Sequence, residues 1–135
     1  MWKISGITFI ELMIVVAIVS ILAAIAIVSY SSQTQRGRRI DAVNSILSIS
    51  LAEERYRSNN SQYGTLAQVW GGVSSSSGGY YSIAITNVTA TSYTITATAV
   101  GAQTNDKSNG ISCTPLVFIM SNGTLTKTPV GCWPT

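Results

Sequence analysis

Histidine is missing from this sequence, and acidic residues number only five. Two of the five, Glu53 and Glu54, are chain neighbours in a helix-like stretch, so there is little material for acid–base catalysis or metal ligation. Serine and threonine are plentiful, but without a base to activate them no nucleophilic triad can be built. An enzyme is therefore not expected, with no catalytic residue, no metal site and no cofactor. Charge of either sign is sparse, at 10% of residues against 46% hydrophobic, which excludes a disordered chain. The net charge of +3 is small, and its basic residues are scattered, so composition alone does not call for nucleic acid.

Cysteine is scarce as well. Cys113 and Cys132 lie near the C-terminus with no C-x-x-C spacing, which speaks against a metal or thioredoxin-like motif and for a single disulfide. A disulfide implies an oxidising compartment, a periplasm or a cell surface.

One long hydrophobic run is present. Leu12 to Val28 carries no charge, and counted from Ile7 the run would span about 33 Å as a helix, enough for a bilayer core of about 30 Å. An ordinary secretory signal has a shorter apolar stretch followed by a small-residue cleavage site. Here the small residue comes first: Met1 to Gly6 is a short leader carrying Lys3, and cleavage after Gly6 keeps the hydrophobic helix in the mature chain. Glu11 interrupts the apolar start of that helix at a cost of about 2–3 kcal/mol at the bilayer centre, less near its edge. Two readings stand for it. After cleavage, the new amine at Ile7 lies about 6 Å away along the helix, and a neighbour's amine would serve equally as a partner. Alternatively, Glu11 simply sits at a helix N-terminus that favours negative charge. Arg36, Arg38 and Arg39 follow the run, and simple positive-inside counting on them opposes the export that the leader and the disulfide imply.

The run Gly6-Ile7-Thr8-Phe9-Ile10-Glu11-Leu12-Met13-Ile14-Val15-Val16-Ala17-Ile18 resembles the class III signal and N-terminal helix of type IV pilins and pseudopilins. The resemblance implies cleavage between Gly6 and Ile7 by a prepilin peptidase, N-methylation of Ile7, and recruitment of subunits through Glu11. Its implied partners are other pilins or further copies of the chain in a helical filament, the inner-membrane assembly platform, and the membrane before assembly. The implied location is the inner membrane, then an extracellular pilus. Ile7, Ser20 and Val28 replace the more usual phenylalanine, glycine and proline of that segment. Leu51 to Leu66 and the ending Lys127 to Pro134 are similar to small minor pilins of the competence-associated type. A major pilin, a minor pilin that primes the filament or binds DNA, a type II secretion pseudopilin and a bitopic periplasmic binding protein all remain open at this point.

Beyond the polar stretch Ser29 to Arg39, the residues Ile40, Val43, Leu47 and Leu51 recur at helical spacing, with Ile46 and Ile49 broadening the stripe. One helix from about Ile7 to Arg57 is expected. Residues 58–79, rich in Ser, Gly and Asn, read as an irregular connection with about one helical turn. Alternation over 81–86 and 93–99 predicts two strands, and Asn122-Gly123 between 116–120 and 124–128 predicts a hairpin. A Cys113–Cys132 bond would staple the base of that hairpin, closing a loop of about 19 residues, and it resembles the C-terminal disulfide loop of pilins. The expected fold is α+β: a long N-terminal helix with a hydrophobic lower half, packed against an antiparallel sheet of about four strands, with a disulfide-closed C-terminal loop. The expected division is residues 1–6 as leader, 7–28 as membrane and assembly segment, and 29–135 as the exported head.

Arg36, Arg38 and Arg39 are candidates for contact with DNA phosphates, although such a run is more often merely solvated. Tyr80, Tyr81, Tyr93 and Trp133 are candidate stacking platforms, although tyrosines in strands more often fill a core.

Overall fold

A computed structural model describes residues 6–134, apart from the side chains of Val28 and Ser29. Met1 to Ser5 of the expected leader, Lys3 among them, lie outside the described residues. The chain divides between Thr34 and Gln35 into two compact units.

Helix α1 runs over Phe9–Asn59, close to the expected bounds. Its start is set by Thr8, whose side-chain oxygen accepts the backbone N–H of Glu11 at 3.3 Å. Thr-x-x-Glu is the spacing of a capping box, and one of its two bonds is made here. The helix passes Ser20 without a break. The Ser20 hydroxyl donates to the Val16 carbonyl at 2.7 Å, so its polarity is satisfied within the helix. In the first unit every apolar side chain described, from Ile7 to Ile27, is exposed, and α1 is long and apolar enough to cross a membrane.

The second unit, the head, is built on the sheet. Strands β1 (Tyr81–Thr86), β2 (Ser92–Ala99), β5 (Leu116–Ser121) and β6 (Thr124–Thr128) form an antiparallel sheet in the order β1-β2-β5-β6. Alternation puts Tyr81, Ile83, Tyr93, Ile95, Ala97, Leu116 and Phe118 on the buried face. The turn between β5 and β6 places Asn122 at φ 49 and Gly123 at φ 77, the two left-handed positions a type I′ hairpin requires. A second Asn-Gly pair, Asn109-Gly110, turns a small hairpin of β3 (Lys107–Ser108) and β4 (Ile111–Ser112) that the sequence reading did not anticipate. Each strand is only two residues long, too short for alternation to be seen.

The helix face that meets the sheet differs from the expected stripe. Ala42, Val43, Ile46 and Ile49 are buried with the sheet residues, whereas Ile40, Leu47 and Leu51 are exposed. Two apolar stripes run side by side along this part of α1, and periodicity alone does not choose between them. The stripe carrying Ala42 lets the sheet approach more closely, and it continues into Glu53, which is fully buried. The connection after α1 holds one short helix, α2 (Leu66–Trp70), opened by a Thr65–Gln68 capping box and closed by Gly71 at φ 64. Cys113 and Cys132 are bonded, with a Cα–Cα distance of 5.5 Å, across the base of the β5–β6 hairpin.

Candidate nucleic-acid interface and assembly segment

In the first unit Gly6 and Ile7 are exposed ahead of the capped helix start. Ile7, Glu11, Leu12, Val15 and Val16 line a shallow groove of about 300 Å³. Its walls are apolar apart from the Glu11 carboxylate. A cation entering the groove would meet that acid alone, and their attraction would grow once this exposed surface is taken out of water. The Thr8 cap gives Glu11 a position in helix initiation as well.

In the head, the three arginines expected to act together are separated by folding. Arg39 is buried, and its Nε and Nη2 each donate to one oxygen of Asp106 at 2.7 Å. It also donates to the carbonyls of Cys132 at 3.4 Å and Lys107 at 3.5 Å. This corrects the reading of Arg39 as a nucleic-acid contact: its donors are spent inside the head. Asp106 also accepts the Tyr81 hydroxyl at 3.3 Å, and Gln103 donates to the Tyr81 oxygen at 3.0 Å and to the Gln35 carbonyl at 2.9 Å. The network ties the first head turn of α1 to the 3₁₀ turn Gly101–Asn105, to β3 and to the disulfide.

Arg36 is exposed and lines a cavity of about 130 Å³ with Arg39, Ile40, Ser108, Cys132 and Trp133. Arg38 is half-buried with its guanidinium 4.3 Å from the Tyr80 ring centre, a cation–π stack. Gly78 makes room for that ring, since a Cβ there would lie 2.8 Å from Tyr80, and its N–H donates to Asp41 at 3.0 Å. The Arg38 Nε is buried without a hydrogen-bond partner among the described residues. Two further cations join this end: Lys107, next to the carbonyl that Arg39 uses, and Lys127, whose amine lies 5.4 Å from the Trp133 ring centre. Sequence reasoning did not select either lysine, because each is isolated in the chain.

Of the candidate stacking rings, Tyr81 and Tyr93 are fully buried and Trp133 is nearly so, its indole N–H donating to the Thr128 carbonyl at 3.2 Å. They are core residues, and burial pushes the hydroxyls of Tyr81 and Tyr93 up to about 12. Only Tyr80 keeps an open face.

Folding also changes the charge that the head displays. Of its four acidic residues, Asp106 is paired with Arg39 and Glu53 is buried against the Gly64 N–H at 2.8 Å, which leaves Asp41 and Glu54. Removal from water raises the Glu53 carboxyl above the ordinary carboxylate range, with the Gly64 hydrogen bond opposing and Glu54 adding to the shift. Six cations remain outside the core: Arg36, Arg38, Arg55, Arg57, Lys107 and Lys127. Arg57 is partly occupied, donating to the carbonyls of Ala90 at 3.0 Å and Asn60 at 2.8 Å. The head surface is thus more basic than the sequence total indicates. No group of three potential metal ligands gathers among the described residues.

Comparison with known families gives two matches. A family model described as "Type IV minor pilin ComP, DNA uptake sequence receptor" matches residues 28–117, and one described as "Prokaryotic N-terminal methylation motif" matches residues 3–27. No individual curated protein matches the chain.

Proposed function

The chain belongs to the type IV pilin family, as a minor pilin of the ComP type, and from that premise we propose that it is a filament subunit whose head binds DNA phosphates at its disulfide end. The division proposed is a leader ending at Gly6, an anchoring and assembly segment over residues 7–28, and a head from residue 29 onward. A prepilin peptidase cuts after Gly6, and the new terminus at Ile7 is methylated. The apolar helix holds the prepilin in the inner membrane until the assembly platform extracts it into the pilus. In the filament the exposed side chains of Ile7 to Ile27, and beyond them Ile40, Leu47 and Leu51, pack against neighbouring helices. Glu11 meets a neighbour's terminal amine there, because an unpaired charge in that core costs several kcal/mol. The role of the protein is structural and recognitive rather than catalytic.

The observation that carries the DNA reading is the gathering of Arg36, Lys107 and Lys127 around the first head turn and the disulfide, where the nearest buried acid, Asp106, is neutralised by Arg39. Phosphate contacts of this kind release counterions, so affinity falls linearly on a log–log salt plot with a slope of about 0.9 per contact. Titration of duplex DNA across salt concentrations is the test. Arg36→Ala, Lys107→Ala and Lys127→Ala should each lower the slope by about one. An unchanged slope in all three variants would remove this surface from the DNA contact.

A further inference from the structure

The disulfide end of the head combines exposed cations with exposed aliphatic side chains, and it is attached to the anchoring helix by very little chain. Gln35 and Arg39 of α1 bond directly to Ala102, Gln103, Asp106, Lys107 and Cys132, so the 3₁₀ turn, the β3–β4 hairpin and the closing segment Val130–Cys132 all surround the first head turn of α1. Arg36 is eight positions beyond Val28. That is about 12 Å along a helix and about 28 Å at full extension. At this end Val130 is 80% exposed and Ile111 49% exposed, next to Arg36 and Lys107. Ile111 reaches to 3.6 Å from the position of a Cβ on Gly131, so the hairpin and the closing segment share one surface. The acid nearest these cations, Asp106, is buried and paired, Asp41 holds the Gly78 N–H, and Glu54 lies fifteen residues further along α1 than Arg39. A duplex offers phosphates on its outer surface and hydrocarbon only inside its grooves, out of reach of an end that meets the backbone. The boundary of an anionic bilayer offers both.

We propose that, before assembly, this end of the head docks on anionic phospholipid headgroups, with Arg36 and Lys107 on the phosphates and Val130 and Ile111 at the edge of the acyl region. The inference rests on the membrane anchoring proposed above. It also explains how cations that violate simple positive-inside counting are accommodated on the exported side: Arg39 is neutralised internally, and Arg36 and Lys107 are placed against lipid phosphate. While docked, the cations are withheld from DNA, and extraction into a filament frees them.

The test uses the full chain reconstituted into phosphatidylcholine vesicles with and without phosphatidylglycerol. Flotation is read first, then hydrogen exchange of peptides covering 107–112 and 129–134. The expected result is flotation with both lipids, and exchange in these two segments slowed by up to about thirty-fold only with phosphatidylglycerol, as two cations at a charged surface would give. Arg36→Gln with Lys107→Gln should abolish the protection. Val130→Ser should weaken it while leaving the salt slope of DNA binding in detergent unchanged. Equal exchange in both vesicles, with flotation intact, overturns the docking and leaves the anchoring standing. Failure to float overturns the anchoring and the docking with it. Protection produced as well by inorganic phosphate over phosphatidylcholine overturns the assignment to lipid in favour of a simple anion site.

Discussion

Replacing Asp106 with leucine strands the Arg39 guanidinium inside the head. In the native chain that group is buried and makes two 2.7 Å bonds to the Asp106 carboxylate, and the two carbonyl contacts that remain, at 3.4 and 3.5 Å, are long. Removing one partner of such a pair costs about 3–5 kcal/mol, because the other charge stays desolvated and unpaired. The head from Gln35 onward has about a hundred residues, a size at which 1 kcal/mol moves the midpoint by about 4 °C, so Asp106→Leu should lower Tm by about 12–20 °C. Arg39→Met should cost less, since the carboxylate it leaves behind keeps the Tyr81 hydroxyl as a donor. The double variant removes both charges but leaves the buried Tyr81 hydroxyl without its acceptor, so it should recover part of the loss and lie about 1–3 kcal/mol below the native chain. The assay is thermal unfolding of the full chain in nonionic detergent, followed by near-ultraviolet circular dichroism of the head aromatics. An Asp106→Leu midpoint within about 4 °C of native, or a double variant no more stable than Asp106→Leu, would refute the reasoning, because either result means that Arg39 is solvated in the fold.

Replacing both cysteines with serine opens a loop with a sequence separation of 19 and should destabilise the head by about 3 kcal/mol, read as a lower denaturant midpoint with a steeper slope, because the unfolded chain is less constrained. Gly64→Ala would place a Cβ 2.5 Å from Val69 Cγ1 and 3.1 Å from the Tyr56 ring, so the loop that caps Glu53 must shift, at about 1–3 kcal/mol in the same assay. Glu53 has its pKa raised, so its contribution to stability is complete below the unfolded value of 4.5 and is lost as pH rises through the folded value. Glu53→Gln should therefore stabilise the head near neutral pH and have little effect below 4.5, and a loss of stability at neutral pH would contradict the burial argument. Tyr81 and Tyr93 sit at about 12 against an ordinary value of 10.0. Their stabilising contribution should hold below pH 10 and fall as pH rises toward 12, with ultraviolet titration showing both phenols ionising together with unfolding.

The one-dimensional signals in this sequence settled a good deal. The uncharged apolar run Leu12 to Val28 specifies a continuous helix, because length and hydropathy alone meet a bilayer's demand. Period-two alternation marked β1 and β2, and Asn122-Gly123 marked the hairpin of β5 and β6, because left-handed backbone selects those residue types. Two cysteines offer one possible pairing. The Thr8 cap has its own sequence signature, a threonine three residues before Glu11. What only the tertiary structure decided is which of several equivalent side chains turn inward. Arg36, Arg38 and Arg39 are one cluster in the sequence, yet on a helix a step of one residue is a turn of about 100°. Arg39 therefore points into the head at Asp106, 67 residues away in the chain, Arg38 lies on Tyr80, and Arg36 reaches the cavity edge. The same rotation buries Glu53 and exposes Glu54, and it chooses Ala42 and Ile46 over Ile40 and Leu47 for the core. Lys107 and Lys127, lone residues in the sequence, become part of a basic end only because two hairpins bring them there. A local pattern fixes what a segment can be, whereas the sign of the surface charge depends on which charges the packed core removes from water.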